Sequence, residues 1–120
     1  AAKKRIYEIY KKELAGLPLN MNPYLKCSEP NFWLSCIILD KGVKVKPCDI
    51  MNKLDEHNIE SRPIWKPMHM QPVFKGYDFI TVCDKPVDED IFERGLCLPS
   101  DIKMTEEQQM HVIKIIKSLF

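Results

Sequence analysis

The chain of 120 residues is 45% hydrophobic and 29% charged, and its 18 basic and 17 acidic side chains leave a net charge of +1 at pH 7. One domain of this length can bury about two-thirds of its unfolded surface, and the balanced charge excludes bulk binding of nucleic acid or of an anionic membrane. No apolar run approaches the roughly 18 residues that a membrane span needs and no signal peptide is recognisable, so a cytoplasmic protein with no membrane partner is expected.

The start, AAKKRIYEIY, is abrupt, as though further sequence had preceded it. Residues 3–14 space Ile6, Tyr7, Ile9, Tyr10 and Leu14 as a helical stripe that Gly16 and Pro18 end. A loop with Pro23 and Pro30 follows. The apolar run FWLSCIIL (32–39) has strand length and predicts a strand covered on both faces. DKGV then supplies turn residues. Residues 47–58, opened by Pro47 and closed near Asn58, predict a short helix with Ile50, Met51 and Leu54 inward. Residues 59–64 suit a short extended segment and 78–83 a strand. PVDEDIFERG reads as a helix begun by acidic residues and stopped by Gly95, with a short strand at 96–99. Thr105 and Gln108 form a capping box for a final helix whose apolar face is Met110, Val112, Ile113, Ile116, Leu119 and Phe120. The fold class is therefore α+β, a small antiparallel sheet with helices packed on it.

The five cysteines, at 27, 36, 48, 83 and 97, are odd in number and none lies within eight residues of another. That spacing matches neither a disulfide framework nor a zinc site, and they read as small buried apolar residues of a reducing compartment. His57, His69 and His111 have no partner at metal-ligand spacing, and His57 and His111 fall on expected helices. The basic run in residues 3–12 and the acidic run in 84–93 read as solvated helix faces. Only four glycines are present and none forms a phosphate loop, so any phosphate must be met by side-chain cations.

The most informative stretch is IESRPIWKPMHMQP (59–72), which holds Arg62, Trp65, Lys66, His69 and three prolines. Proline fixes its own φ and restrains the residue before it, so Arg62, Lys66 and Gln71 are held toward extended geometry at low ordering cost on binding. Arginine offers a planar fork for phosphate, lysine a point charge, tryptophan a flat face for a ring, and histidine a donor to an oxyanion or sugar hydroxyl. The set suits an anionic, partly ring-shaped ligand such as a nucleotide sugar. The structural alternative is a surface loop whose Trp65 and Met68 fill the core beneath.

IESRPIWKPMHMQPVF, followed by FERGLCLPSDIKMTEEQ and a terminal helix, resembles the C-terminal part of the DegT/DnrJ/EryC1/StrS aminotransferases. KKRIYEIYKKEL and NFWLSCIIL fit the same order of elements, so the resemblance runs from about residue 3 to 120. It implies the small C-terminal domain of a fold-type I enzyme that uses pyridoxal phosphate to aminate a nucleotide-linked keto sugar. The wording of the two motifs is closest to the branch that aminates UDP-linked 4-keto-6-deoxy-N-acetyl sugars in surface-polysaccharide or glycan pathways. The resemblance further implies a homodimer and a large domain, absent from this chain, that carries the cofactor lysine. None of the 15 lysines here stands in that motif, so this chain alone is expected to bind no cofactor and to be inactive. His69 matches the family's histidine near the nucleotide-sugar site, whereas Arg62, Trp65 and Lys66 are inferred from their chemistry. A domain parted from its larger neighbour is also expected to expose apolar surface, with self-association or modest stability as the result. Two other classes remain: a free-standing interaction module with an anion-binding loop, and a small enzyme using His69 as acid or base.

Overall fold

The computed structural model describes residues 2–82 and 86–120. The first helix, α1 (Ala2–Glu13), buries Ile6, Tyr7 and Tyr10, with Leu14 just beyond its end. Ile9, the remaining member of the expected stripe, is half-buried. Gly16 turns the chain at φ +87°, a backbone region that glycine enters without steric cost. A three-residue strand that the sequence did not suggest, β1 (Leu19–Met21), then pairs antiparallel with β2 (Ser35–Leu39). Asn22 extends this join: its main-chain N–H donates to the Cys36 carbonyl, and its side-chain oxygen accepts from the Cys36 N–H at 2.9 Å.

The expected strand 32–39 is thus shorter, and it is not equally covered on both faces. Ser35, Ile37 and Leu39 are buried while Cys36 and Ile38 are only half-buried. Period-two alternation sends the first set into the helical layer and the second to the opposite face. Phe32 lies outside the strand at φ +54° and packs its ring 5.0 Å from Tyr7.

After the Gly42 turn, α2 (Pro47–Asp55) starts with proline at its first position and the Asp49 carboxylate accepting from the Lys46 N–H at 2.8 Å. It ends in a Schellman arrangement. Asn58 takes φ +57°, Ile59 N–H bonds to the Leu54 carbonyl and Asn58 N–H to that of Asp55. His57 therefore sits in the turn after the helix and not on it. Strand β3 (Arg62–Pro63) adds to the far edge of β4 (Gly95–Leu98), giving an all-antiparallel sheet of order β1-β2-β4-β3. Proline cannot donate to a ladder, and the edge is the one place in a sheet where Pro63 is tolerated. Helices α3 (Val87–Arg94) and α4 (Glu106–Lys117) complete the order.

Helices α1, α2 and α4 cover one face of the sheet. Ile6, Tyr10, Ile50, Leu54, Ile113 and Ile116 form a continuous core with Ile37, Leu39, Leu96 and Leu98. Thr105 accepts from the Gln108 N–H as the capping box requires. The buried face of α4 also takes in Gln109, whose amide donates to the Ile6 carbonyl at 2.8 Å, while Phe120 stands largely exposed beyond the helix. The other face of the sheet carries Cys36, Ile38, Gly95 and Cys97 and has α3 beside it.

Three further expectations fail. Residues 78–82 form no strand: they find no partner edge, and Ile80 is 92% exposed; Cys83, the end of that expected strand, lies outside the described residues. The cysteines are not uniformly buried, since Cys27 and Cys48 are exposed, Cys36 is half-buried and only Cys97 is buried among the described residues. The acidic run is more than a solvated face, because Asp90 pairs with Arg94 and Glu89 with His69. No described helix is long and apolar enough to cross a membrane.

Candidate functional site

Between β3, the residues after it and the cysteine face of the sheet lies a cavity of about 630 Å³, lined among others by Ser61, Arg62, Trp65, Lys66, Phe92 and Cys97. Its position follows from the prolines. Pro63 ends the strand at the sheet edge and buried Pro67 anchors the chain again, so the three residues between them cross the open face. Trp65 is 63% exposed and Met68 60%, which removes the alternative in which they fill the core. The Trp65 ring has a companion that sequence reasoning missed. Trp33, equally exposed, stands with its ring centre 6.2 Å away at 38°. Trp33 had been absorbed into the strand run, and the signal for it would have been Pro30 and Asn31, the side-chain oxygen of Asn31 accepting from the Trp33 N–H at 3.0 Å before the strand begins.

Electrostatically the cavity is open to an anion. Arg62 is exposed and forks onto Glu60 with bonds of 2.8 and 2.6 Å. Exposed ion pairs are worth only about 0–1 kcal/mol, so Arg62 can exchange Glu60 for a stronger anion. Lys66 is exposed at the rim. The Ser61 hydroxyl is buried with no hydrogen-bond partner, an uncompensated polar group on the cavity wall.

His69 is not brought to this cavity. It lies on the turn Met68–Met70 and lines a second cleft of about 310 Å³ with Phe74, Tyr77, Phe79 and Asp88. Its ring stacks on Phe79 at 3.7 Å between centres and 18° between planes. Nε2 lies 2.7 Å from Glu89 and Nδ1 3.6 Å from Asp88, with the side chain 18% exposed. A carboxylate can only accept, so Nε2 donates to Glu89. The four sequence candidates therefore divide into Arg62, Trp65 and Lys66 on one cavity and His69 on another. Glu89 and Phe79, which set the His69 ring, were also missed, because α3 and the 78–82 segment reach it from a distance in sequence.

His57 and His111 meet edge to face with ring centres 5.4 Å apart, a contact that spacing along the chain does not reveal. No group of three or more metal-ligating side chains exists among the described residues. Nor do the residues lining the larger cavity fit pyridoxal phosphate. Its amine, Lys66, is solvent-exposed at the rim.

A family model described as the DegT/DnrJ/EryC1/StrS aminotransferase family matches residues 1–117. The chain is 41% identical over 120 residues to EpsN of Bacillus subtilis, a candidate pyridoxal phosphate-dependent aminotransferase, covering 98% of this chain and 30% of EpsN. It is 34% identical over 119 residues to the GDP-perosamine synthase of Vibrio cholerae, covering 99% and 32%. Among solved structures, DesI in the presence of its TDP-sugar product superposes with a TM-score of 0.85 at 18% identity, over 98% of this chain and 30% of DesI. The chain thus spans about 30% of the length of the curated relatives it matches.

Proposed function

Because the chain belongs to the DegT/DnrJ/EryC1/StrS aminotransferase family, we propose that it forms the C-terminal small domain of a pyridoxal-phosphate-dependent aminotransferase acting on a nucleotide-linked 4-keto-6-deoxy sugar. The cofactor would supply the amino-group chemistry from a large domain outside these 120 residues, and this chain alone would be inactive. The observation that carries the reading is the cavity wall on which two exposed cations, Arg62 and Lys66, flank the exposed face of Trp65.

In this reading Arg62 leaves Glu60 to grip the diphosphate and Lys66 adds a second positive charge. Trp65 receives the base or sugar ring. His69, held at Nε2 by Glu89, offers Nδ1 to a sugar hydroxyl once the rest of the protein brings substrate to its cleft. UDP is the carrier suggested by the wording of the sequence motifs, whereas the relatives' names carry GDP and TDP. A homodimer in the cytoplasm, serving a surface-polysaccharide or glycan pathway, completes the proposal.

Each charged hydrogen bond to the diphosphate is worth roughly 1.5–3 kcal/mol, or about ten- to a hundredfold in affinity. The test begins with the mass of the native gene product, expected near three times that of this chain, since the chain spans 30% of its relatives. Amination of UDP-, GDP- and TDP-linked keto sugars is then compared, with glutamate as donor. Arg62→Ala should raise KM by about tenfold or more with kcat little changed. An unchanged KM would remove the cavity from substrate binding. A native mass near 14 kDa would instead favour a free-standing anion-binding module.

A further inference from the structure

Cys36 and Cys97 stand directly opposite each other on β2 and β4, with their sulfurs 3.6 Å apart. Both polar groups of the Cys36 main chain face Asn22: its N–H donates to the Asn22 side chain and its carbonyl accepts from the Asn22 N–H. The pair is therefore of the non-hydrogen-bonded kind, in which Cα atoms of antiparallel strands approach to about 4.5 Å and side chains are closest. That separation lies inside the range a disulfide accepts. Cys97 is the buried member, yet it also lines the 630 Å³ cavity, which gives a small reagent a path to its sulfur. The contact between the two thiols holds Cys97 below the ordinary thiol value, while Cys36 is pushed up by the same contact and by burial.

We propose that Cys36 and Cys97 are a thiol-oxidation site that closes to a cross-strand disulfide with a small neutral disulfide as oxidant. The Cys97 thiolate attacks one sulfur of the reagent R–S–S–R, forming a Cys97–S–S–R bond and releasing RS⁻, which takes a proton. Cys36 then loses its proton and attacks the Cys97 sulfur, expelling the second RS⁻. Two protein thiols are oxidised, and the reagent is reduced to two RSH. Arg62 lies opposite Cys97 in the β3–β4 pairing, so the new bond ties the strand carrying the cavity cation to β2 through β4.

The test uses the intact protein with bis(2-hydroxyethyl) disulfide, then alkylation of remaining thiols and peptide mapping. The expected result is one linked pair of peptides containing Cys36 and Cys97, about 2 Da below the sum of the thiol forms and restored by reductant. The exposed Cys27 and Cys48 should be recovered outside that linkage. In Cys36→Ser, with the fold checked by circular dichroism, Cys97 should stop as the mixed disulfide with the reagent. Recovery of Cys36 and Cys97 as separate alkylated peptides in the unmutated protein overturns the site. An unmodified Cys97 in folded Cys36→Ser overturns the order of attack through the cavity.

Discussion

Gly95 joins α3 to β4, and its glycine is required for space and not for backbone freedom. Its φ of −97° and ψ of 151° are open to any residue, but a Cβ built there would fall inside 3.0 Å of both the Ile64 side chain and the Ile91 carbonyl oxygen. The two effects of Gly95→Ala have opposite signs. Fewer conformations of the unfolded chain would stabilise the variant by about 0.4–1 kcal/mol at an unstrained site. Overpacking costs about 1–3 kcal/mol, and one of the two obstacles is main chain, which cannot turn aside. The overlap wins, so urea unfolding followed by far-UV circular dichroism should show a loss of about 1–2 kcal/mol. Ile64→Ala in the same chain removes one obstacle and leaves the carbonyl, so the double variant should recover part of what Gly95→Ala loses relative to Ile64→Ala alone. Because Ile64 precedes Trp65, the same substitution should also displace the cavity wall. A Gly95→Ala protein as stable as the parent, or more so, would refute the reasoning.

Asn58 holds the left-handed position that closes α2, so Asn58→Ala should cost about 1 kcal/mol while Asn58→Gly costs little or nothing; equal losses in thermal melts would contradict the assignment. Burial of Tyr10, whose hydroxyl donates to the Pro99 carbonyl, raises its phenol above the ordinary value of 10.0. A raised folded pKa means that this contribution to stability is complete below about pH 10 and lost as pH rises toward the folded value. Urea midpoints measured above pH 10 should therefore fall more steeply for the parent than for Tyr10→Phe, and parallel slopes would defeat the claim. The apolar exposure at Trp33, Trp65, Tyr77 and Ile80 should make the isolated 120-residue chain self-associate. A sedimentation coefficient independent of concentration would count against it.

What the sequence made legible is what local chemistry controls. The stripe on α1, the proline start of α2 and the Thr105–Gln108 box each lie within a few residues of what they determine, and each appears where expected. β1 was illegible because three residues carry no period of their own, and their partner Leu39 lies twenty positions from Leu19. The run at 78–82 misled for the complementary reason: its composition suits a strand, but it pairs with none of the four strands of the sheet. The Cys36–Cys97 approach is likewise a product of register, since the two residues are 61 positions apart and meet only through the β2–β4 pairing.

The candidate site shows the same division at the level of chemistry. Residue chemistry suggested Arg62, Trp65 and Lys66, and the family resemblance His69, as one cationic, ring-binding set, and the segment among the prolines does stand outward at Arg62, Trp65 and Lys66. Yet the prolines also end β3 after Pro63 and turn the chain tightly at Met68–Met70. That turn carries His69 away from Trp65 and against the first turn of α3, where acidic residues gather as a helix N-terminus favours. Rigidity therefore divides the set instead of converging it. Under the proposed function, the two separate cavities would be parts of a substrate-binding surface that further elements complete. This accords with a chain that spans 30% of its relatives' length. A ligand that reached both would have to extend from the Trp33–Trp65 pair to the His69 cleft, and an elongated molecule with a base, a diphosphate and a sugar has the form to do so.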